Sequence, residues 1–224
     1  IWIICDNDVQ PLIRHRLGEY VQDPVWVTRH YAPKKGEHKK PIAIYYVPLN
    51  IRDKGKKDCL SWSILHGAYI ANNVSSKMSN WLRPNKFYVS FPYGYYGPTL
   101  IRQHRNLIST NKNFFISHDD KTVVNGEYLA FTFGYDDYKK FLINFRESYL
   151  GSKHKLNFNL SLEDTFDTLD VKSANIVNLM NYWKIDNWED YCKYMAEQGH
   201  RTKRPSEYIL KYHEWNEIGF DETN

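Results

Sequence analysis

No apolar run in this chain approaches the roughly 20 residues that a membrane-spanning helix needs. The longest candidates, Ile42 to Leu49 and Leu129 to Phe133, are strand length, so no membrane role is expected. Cysteine is scarce. Cys5, Cys59 and Cys192 are an odd number at wide spacings, and no C-x-x-C occurs. This argues against a zinc knuckle or disulfide framework and for a reducing, intracellular setting, cytoplasmic or host-cytoplasmic. The nine histidines form neither H-x-x-x-H nor H-E-x-x-H, the spacings that put two ligands on one helix face. A Gly-rich phosphate loop, an internal repeat and a low-complexity segment are all missing. So is a signal-peptide pattern, and the chain opens on Ile1 rather than Met, which reads as a processed, trimmed or fragmentary start.

What is present is a sizeable apolar share and an unusual aromatic load. Of 224 residues, 42% are hydrophobic and 16% are aromatic, with 18 Tyr and 7 Trp. That is enough apolar material for a packed core. Abundant Tyr, Lys and Asn are also what AT-rich genomes encode, which hints at a virus or phage. Net charge is +4 but unevenly spread. From Arg29 to Lys57 there are nine Lys and Arg against Glu37 and Asp53, whereas Glu163 to Asp170 is acidic. A locally basic face serves a polyanionic partner or solubility.

The pattern predicts an α+β fold: a mixed, hairpin-containing sheet with packed helices and a helical C-terminal segment. Strands are expected at residues 1–5, Pro24 to His30, Pro41 to Leu49, Lys86 to Phe91, Asn113 to Ser117 and Lys155 to Leu160. Asn125-Gly126, between Val124 and the run Tyr128 to Phe133, signals a type I′ hairpin. Helical stripes run through 11–21, through Leu60, Ile64, Leu65, Ala68 and Ala71, and through Tyr138, Phe141, Leu142, Phe145 and Tyr149 behind an Asp136 or Asp137 cap. From Ser173 onward helix is expected throughout, with Asp186 and Glu189 starting one helix and Pro205 another. The implied division is a mixed α/β domain over 1–172 and a helical cap or subdomain over 173–224.

The most site-like feature is the start. Ile1-Trp2-Ile3-Ile4-Cys5 runs into Asp6-Asn7-Asp8, which reads as a buried strand delivering two carboxylates to its tip. Such acid pairs hold Mg²⁺ or Mn²⁺ at phosphate-handling sites, because hard cations take oxygen ligands. Metal-dependent nucleases or polymerases, nucleotide-sugar transferases and toprim-like folds all use this arrangement, and each needs a further acid such as Asp119, Asp120, Glu127 or Asp170. The same residues are also ordinary turn chemistry.

Asp170-Val171-Lys172 follows the alternating run Thr165 to Leu169 and is similar to the acid-x-Lys strand motif of restriction-type nucleases. There the acid ligates metal and the Lys stabilises developing charge. Cys59, at the expected start of the helix bearing His66, resembles the nucleophile placement of papain-like and OTU-like cysteine hydrolases. That resemblance implies His118 as base, with Asp120 or Asn125 orienting it.

A basic and aromatic surface completes the set. Lys34, Lys35, Lys39, Lys40, Lys54, Lys56 and Lys57 lie in the two loops flanking the 41–49 strand. Tyr93, Tyr95 and Tyr96 with Arg102 and Arg105 form a second cluster. Cations release counterions from phosphates, and exposed Tyr rings stack on unpaired bases. Together these features point to a nucleic-acid-binding or nucleic-acid-processing protein, with Asp6, Asp8, Asp170 and Lys172 as its catalytic candidates. A non-enzymatic assembly protein using aromatic-rich interfaces with a protein partner or in an oligomer is the alternative.

Overall fold

The structure, a computed structural model, describes residues 1–17, 44–54, 60–77, 84–96, 98–151, 161–180 and 182–198. The Pro24 to His30 and Lys155 to Leu160 strands, the helix from Pro205, Cys59, and the lysines at 34, 35, 39, 40, 56 and 57 lie outside the described residues.

The fold is α+β, with seven α-helices and three sheets among the described residues. Strand β1 (Trp2–Cys5) leads into α1 (Gln10–Leu17), then β2 (Tyr45–Pro48) and α2 (Ser61–Lys77). Next come β3 (Lys86–Val89), β4 (Gly94–Tyr95), α3 (Pro98–Gln103) and α4 (Arg105–Ile108). β5 (Phe114–Ser117), β6 (Phe131–Gly134) and α5 (Tyr135–Gly151) follow, then α6 (Leu162–Phe166), β7 (Asn175–Asn178), β8 (Trp183–Lys184) and α7 (Trp188–Glu197). The main sheet has the order β3-β6-β5-β7; β6 is antiparallel to both neighbours, and β7 is parallel to β5. Two smaller sheets pair β1 with β2 in parallel and β4 with β8 antiparallel.

The period-two alternation of the strands builds two cores. Phe115, Phe131 and Phe133 face Ile64, Leu65 and Ala68 of α2, Tyr138 and Phe141 of α5, and Leu162 and Phe166 of α6. Phe114, Ile116 and Ala130 face the opposite way and pack with Leu179, Tyr96, Leu100, Ile108 and Tyr182. The central strand β5 is buried at all four positions because both its faces are covered. The α2 stripe read from the sequence is this buried face: Ile64, Leu65, Ala68 and Ala71 are all buried.

Phe131 is the hub of the first core. Its ring meets those of Phe166 at 4.8 Å, Phe133 at 5.8 Å, Phe115 at 6.3 Å and Phe91 at 6.4 Å. Offset and edge-on arrangements at such separations add about 0.5–1.5 kcal/mol per pair beyond the area they bury.

β1 and β2 are tied to this body through α2. Gly67 lies against Ile4: a Cβ at Gly67 would stand 2.8 Å from Ile4 Cδ1. Glycine inside a helix costs roughly 0.5–1 kcal/mol relative to Ala, and here it lets a strand side chain lie on the helix backbone. β1 itself is half-buried rather than fully buried.

Four local expectations are corrected. Asn125-Gly126 is not a hairpin turn. Thr122 caps a 3-10 turn, Val123–Asn125, its Oγ1 accepting from Val124 N–H at 3.3 Å, while Asn125 Oδ1 accepts from Thr122 N–H. Gly126 closes this turn at φ +81°, and Val123 is buried beneath α6. The type I′ turn lies six residues earlier. Asp119 and Asp120 hold φ of 49° and 60°, and His118 and Lys121 exchange both backbone hydrogen bonds at 3.0 Å.

The run Thr165 to Leu169 is not a strand either. Ser161 and Asp164 form a reciprocal capping box that starts α6. Asn175–Asn178, expected as helix, is a strand of the main sheet, and its Val177 packs into the second core. Pairing with β5 outweighs local propensity here. Finally, α7 is capped by Asn187, which accepts from Asp190 N–H at 3.0 Å, rather than by Asp186.

Truncating the hub tests this account. Phe131→Ala is expected to cost about 3–5 kcal/mol in urea unfolding. Val9→Ala, at an exposed position, should stay within about 0.5 kcal/mol. Equal losses would show that the ring cluster does not hold the fold.

Candidate functional site

Because β1 and β2 are parallel and in register from Trp2↔Tyr45 to Cys5↔Pro48, both strands end on the same edge. The loops that follow them, Asp6-Asn7-Asp8 and Asn50 to Lys54, therefore meet there. Carboxyl ends of parallel strands are where open α/β sheets place their ligands.

The acid pair arrives at this edge as a turn. Asp6 C=O accepts from both Val9 N–H and Gln10 N–H at 3.1 Å, which starts α1. Asp6 Oδ1 is 3.7 Å from Lys54 Nζ, and both side chains are well exposed. Asp8 is exposed. Among the described residues no group of three or more His, Cys, Asp or Glu is placed to hold a metal ion, so neither Asp119, Glu127 nor Asp170 joins Asp6 and Asp8. Lys54 is therefore the charged partner of Asp6 among the described residues.

The loop behind β2 is held rigidly. Asn50 N–H donates to Ser63 Oγ at 3.0 Å, Arg52 N–H donates to Asn50 Oδ1 at 3.0 Å, and the buried Asp53 Oδ2 accepts from Ser63 N–H at 2.6 Å. Asp53 thus serves the open N-terminus of α2 from eight residues upstream of Ser61, where a carboxylate also matches the helix dipole. Ser61 Oγ in turn donates to Ser161 C=O at 2.9 Å, fixing the start of α2 to the start of α6.

This anchoring places Arg52 over the ring of Trp62, with Cζ 4.5 Å from its centroid. Both residues line an open groove of about 300 Å³. Asn50 and Arg52 contribute from the loop, Trp62, Leu65, His66 and Tyr69 from α2, and Tyr138 and Leu142 from α5. His66 Nδ1 is buried and has no hydrogen-bond partner among the described residues. Burial, with Tyr69 and Tyr135 nearby, pushes the Tyr138 phenol above its ordinary value, so it stays neutral. Tyr69 and Leu142 remain largely exposed, as does Ile51 beside the loop.

Of the residues singled out in the sequence, Lys54 and Asp6 are brought together at this edge. Asp170 and Lys172 occupy a turn. Asp170 accepts from Lys172 N–H at 3.0 Å and from Ser173 Oγ at 2.6 Å, and these Ser173 bonds hold its carboxyl below the usual range. That is capping of a bend, and among the described residues no other acid forms a metal-holding group with it. Tyr93 packs on the first core against Tyr128 at 4.9 Å, and Tyr96 packs in the second, its hydroxyl 3.2 Å from Ser90 Oγ. Tyr95 is the exposed one of the three, in ring contact with Tyr194 at 5.1 Å. Arg102 and Arg105 are exposed on α3 and α4. His118 borders the Asp119-Asp120 turn, with its ring 5.3 Å from that of Tyr182.

The groove-lining residues were missed in the sequence. Trp62, His66 and Tyr69 carry spacings of four and three, a second face of α2 beside its core stripe. That face was legible as a helical stripe, but its partners from the β2 loop and α5 were not.

No protein-family model, curated protein or solved structure matches this chain. Among the described residues no helix is long and apolar enough to cross a membrane.

Two measurements check this geometry. Asp53→Ala strips the cap from a buried N–H and should lower stability by about 1–3 kcal/mol; an unchanged urea midpoint would mean that Asp53 does not anchor the loop. The Tyr182 phenol is pushed up to about 12, chiefly by burial and then by Glu127, Asp186 and Tyr96. Its folded value lies above the ordinary phenol value of about 10, so the associated stability is intact below about pH 10 and is lost as pH rises toward 12. Tyr182→Phe should shallow that alkaline decline, and an identical decline in both proteins would rule out the assignment.

Proposed function

We propose that this chain binds nucleic acid at the edge where β1 and β2 end. The observation that carries the reading is the Arg52 guanidinium over the Trp62 ring, both lining a groove with Tyr69 and Tyr138, with Lys54 two residues away in the same anchored loop. Cations beside aromatic faces are the pairing that single-strand binders use: the charges track phosphates and the rings accept bases. Lys54 and Arg52 belong to the basic stretch from Arg29 to Lys57, so the local field favours a polyanion. The proposal is of binding, and no processing step is assigned to Asp6 and Asp8.

A second reading is a protein-assembly interface. It draws on the half-exposed ring group of Tyr95, Trp183 and Tyr194, with Trp183 5.8 Å from Tyr194, because Tyr and Trp are enriched at interface centres.

A labelled single-stranded oligonucleotide titrated with the protein decides the first reading. Binding should be seen near 50 mM salt and weaken steeply with added salt, as counterion release requires. Arg52→Ala should weaken it by about tenfold, as a lost charged contact of about 1.5 kcal/mol would. No binding of DNA or RNA at low salt rules the proposal out, and a stable oligomer in that case favours the assembly reading.

A further inference from the structure

Asn125 and Gly126 lie apart from the groove and from the β1 and β2 edge, and they carry a chemistry of their own. An asparagine followed by glycine can react with its own backbone. The glycine nitrogen attacks the side-chain carbonyl carbon of the asparagine and a C–N bond forms. The side-chain amide leaves as ammonia, taking the proton of the attacking nitrogen. Water then opens the cyclic imide at either carbonyl, which gives aspartate or isoaspartate. Glycine favours the attack because it has no Cβ to crowd the nitrogen and leaves the backbone free to turn. Asn125 is exposed, so water reaches it.

The fold holds both reacting groups. Asn125 Oδ1 accepts from Thr122 N–H at 3.0 Å, which turns the side chain back toward the start of the 3-10 turn. Gly126 N–H donates to Val123 C=O at 3.0 Å, so the attacking nitrogen keeps its proton and is directed into the turn. Thr122 closes the rest. Its C=O accepts from Asn125 N–H at 3.0 Å and from Glu127 N–H at 3.2 Å, and its Oγ1 accepts from Val124 N–H at 3.3 Å. The buried Val123 pins the turn to the first core. Attack therefore requires the Oδ1 bond and the Gly126 bond to be broken together.

We infer that Asn125 is a self-modification site gated by the turn from Thr122 to Gly126, so that deamidation proceeds only while that turn is open. Local openings cost less than global unfolding, so the product accumulates in the folded chain at a rate the turn sets. Reclosing does not undo it. Isoaspartate lengthens the backbone by a methylene and displaces the acceptor that Thr122 N–H uses. Either product also adds a negative charge close to α6, where a Cβ on Gly126 would lie 4.0 Å from Glu163 Oε2. Like charges at that distance loosen the contact between the turn and α6.

The full chain held at mildly alkaline pH, in buffer and in urea, tests this, with peptide mass mapping following the conversion of Asn125. Conversion should be about tenfold or more slower in buffer than in urea, as for a turn that is open less than about a tenth of the time. Val123→Ala removes packing beneath the turn and should speed conversion in buffer severalfold. Thr122→Val keeps the side-chain volume, removes only the Oγ1 acceptor, and should act in the same direction. Leu179→Ala lowers stability from the second core, away from the turn, and should leave the rate in buffer near that of the wild type. No conversion of Asn125 in urea overturns the site. Equal rates in buffer and urea overturn the gate, as do turn variants that leave the rate in buffer unchanged. Leu179→Ala speeding conversion as much as the turn variants also overturns it, since global unfolding would then be the route.

Discussion

The packing of the Phe131 ring is the constraint on which the rest of this structure depends. β6 brings Phe131 and Phe133 to one face of the main sheet, and the rings of Phe91, Phe115 and Phe166 close around Phe131. These rings come from β5, β6, α6 and the segment after β3, and they position the two helices that line the candidate site. α5 follows β6 without a loop: Gly134 N–H donates to Asp137 Oδ2 at 3.1 Å, and the same oxygen accepts from Asn113 Nδ2, just ahead of β5. α2 lies on the same core through Ile64, Leu65 and Ala68. The groove is thus lined in part by Leu65 and Tyr138 of that same core, and a site on rigid elements holds its geometry better than one on loops.

The edge of the small parallel sheet adds what the helices cannot. Strand direction makes β1 and β2 finish together, and Asp53 with Asn50 fastens the following loop to Ser63 of α2. A cationic loop that would otherwise sample many conformations is held with Arg52 on Trp62. The entropy of ordering it is met during folding rather than on ligand binding, which is how preorganised sites gain affinity. The same hydrogen bonds explain why a buried carboxylate is tolerated at Asp53: a backbone N–H and a helix N-terminus face it.

Much of the architecture was legible because it is written in periodicity. The α2 stripe, the Tyr138 and Phe141 face of α5 and the β5 and β6 runs each carry a strong local pattern that agrees with the burial they find, although α5 starts at Tyr135 and so holds the expected cap residues Asp136 and Asp137 inside its first turn. The failures share a different cause. Asn125-Gly126 has the dipeptide of a hairpin, yet Thr122 offers its own cap and Val123 has a core to enter, so the glycine closes a 3-10 turn instead. Asn175–Asn178 looks like the approach to a helix, and an open edge of β5 made it a strand. At the acid pair the sequence showed two carboxylates after a strand but could not show Lys54 beside one of them. A pattern cannot report which distant segment supplies a partner.

What the sequence determines by itself is therefore the α+β class, the positions of the best helices and strands, the aromatic wealth of the core and the basic character of the region up to Lys57. These follow from spacing, composition and charge, which are local or additive properties of the chain. The tertiary structure alone decided that β1 and β2 end side by side, that Arg52 rests on Trp62, and that Trp62, His66 and Tyr69 of α2 line one groove with Tyr138 and Leu142 of α5. Each of these joins residues far apart in the chain, and long-range contacts arise from packing and register, which no single segment carries.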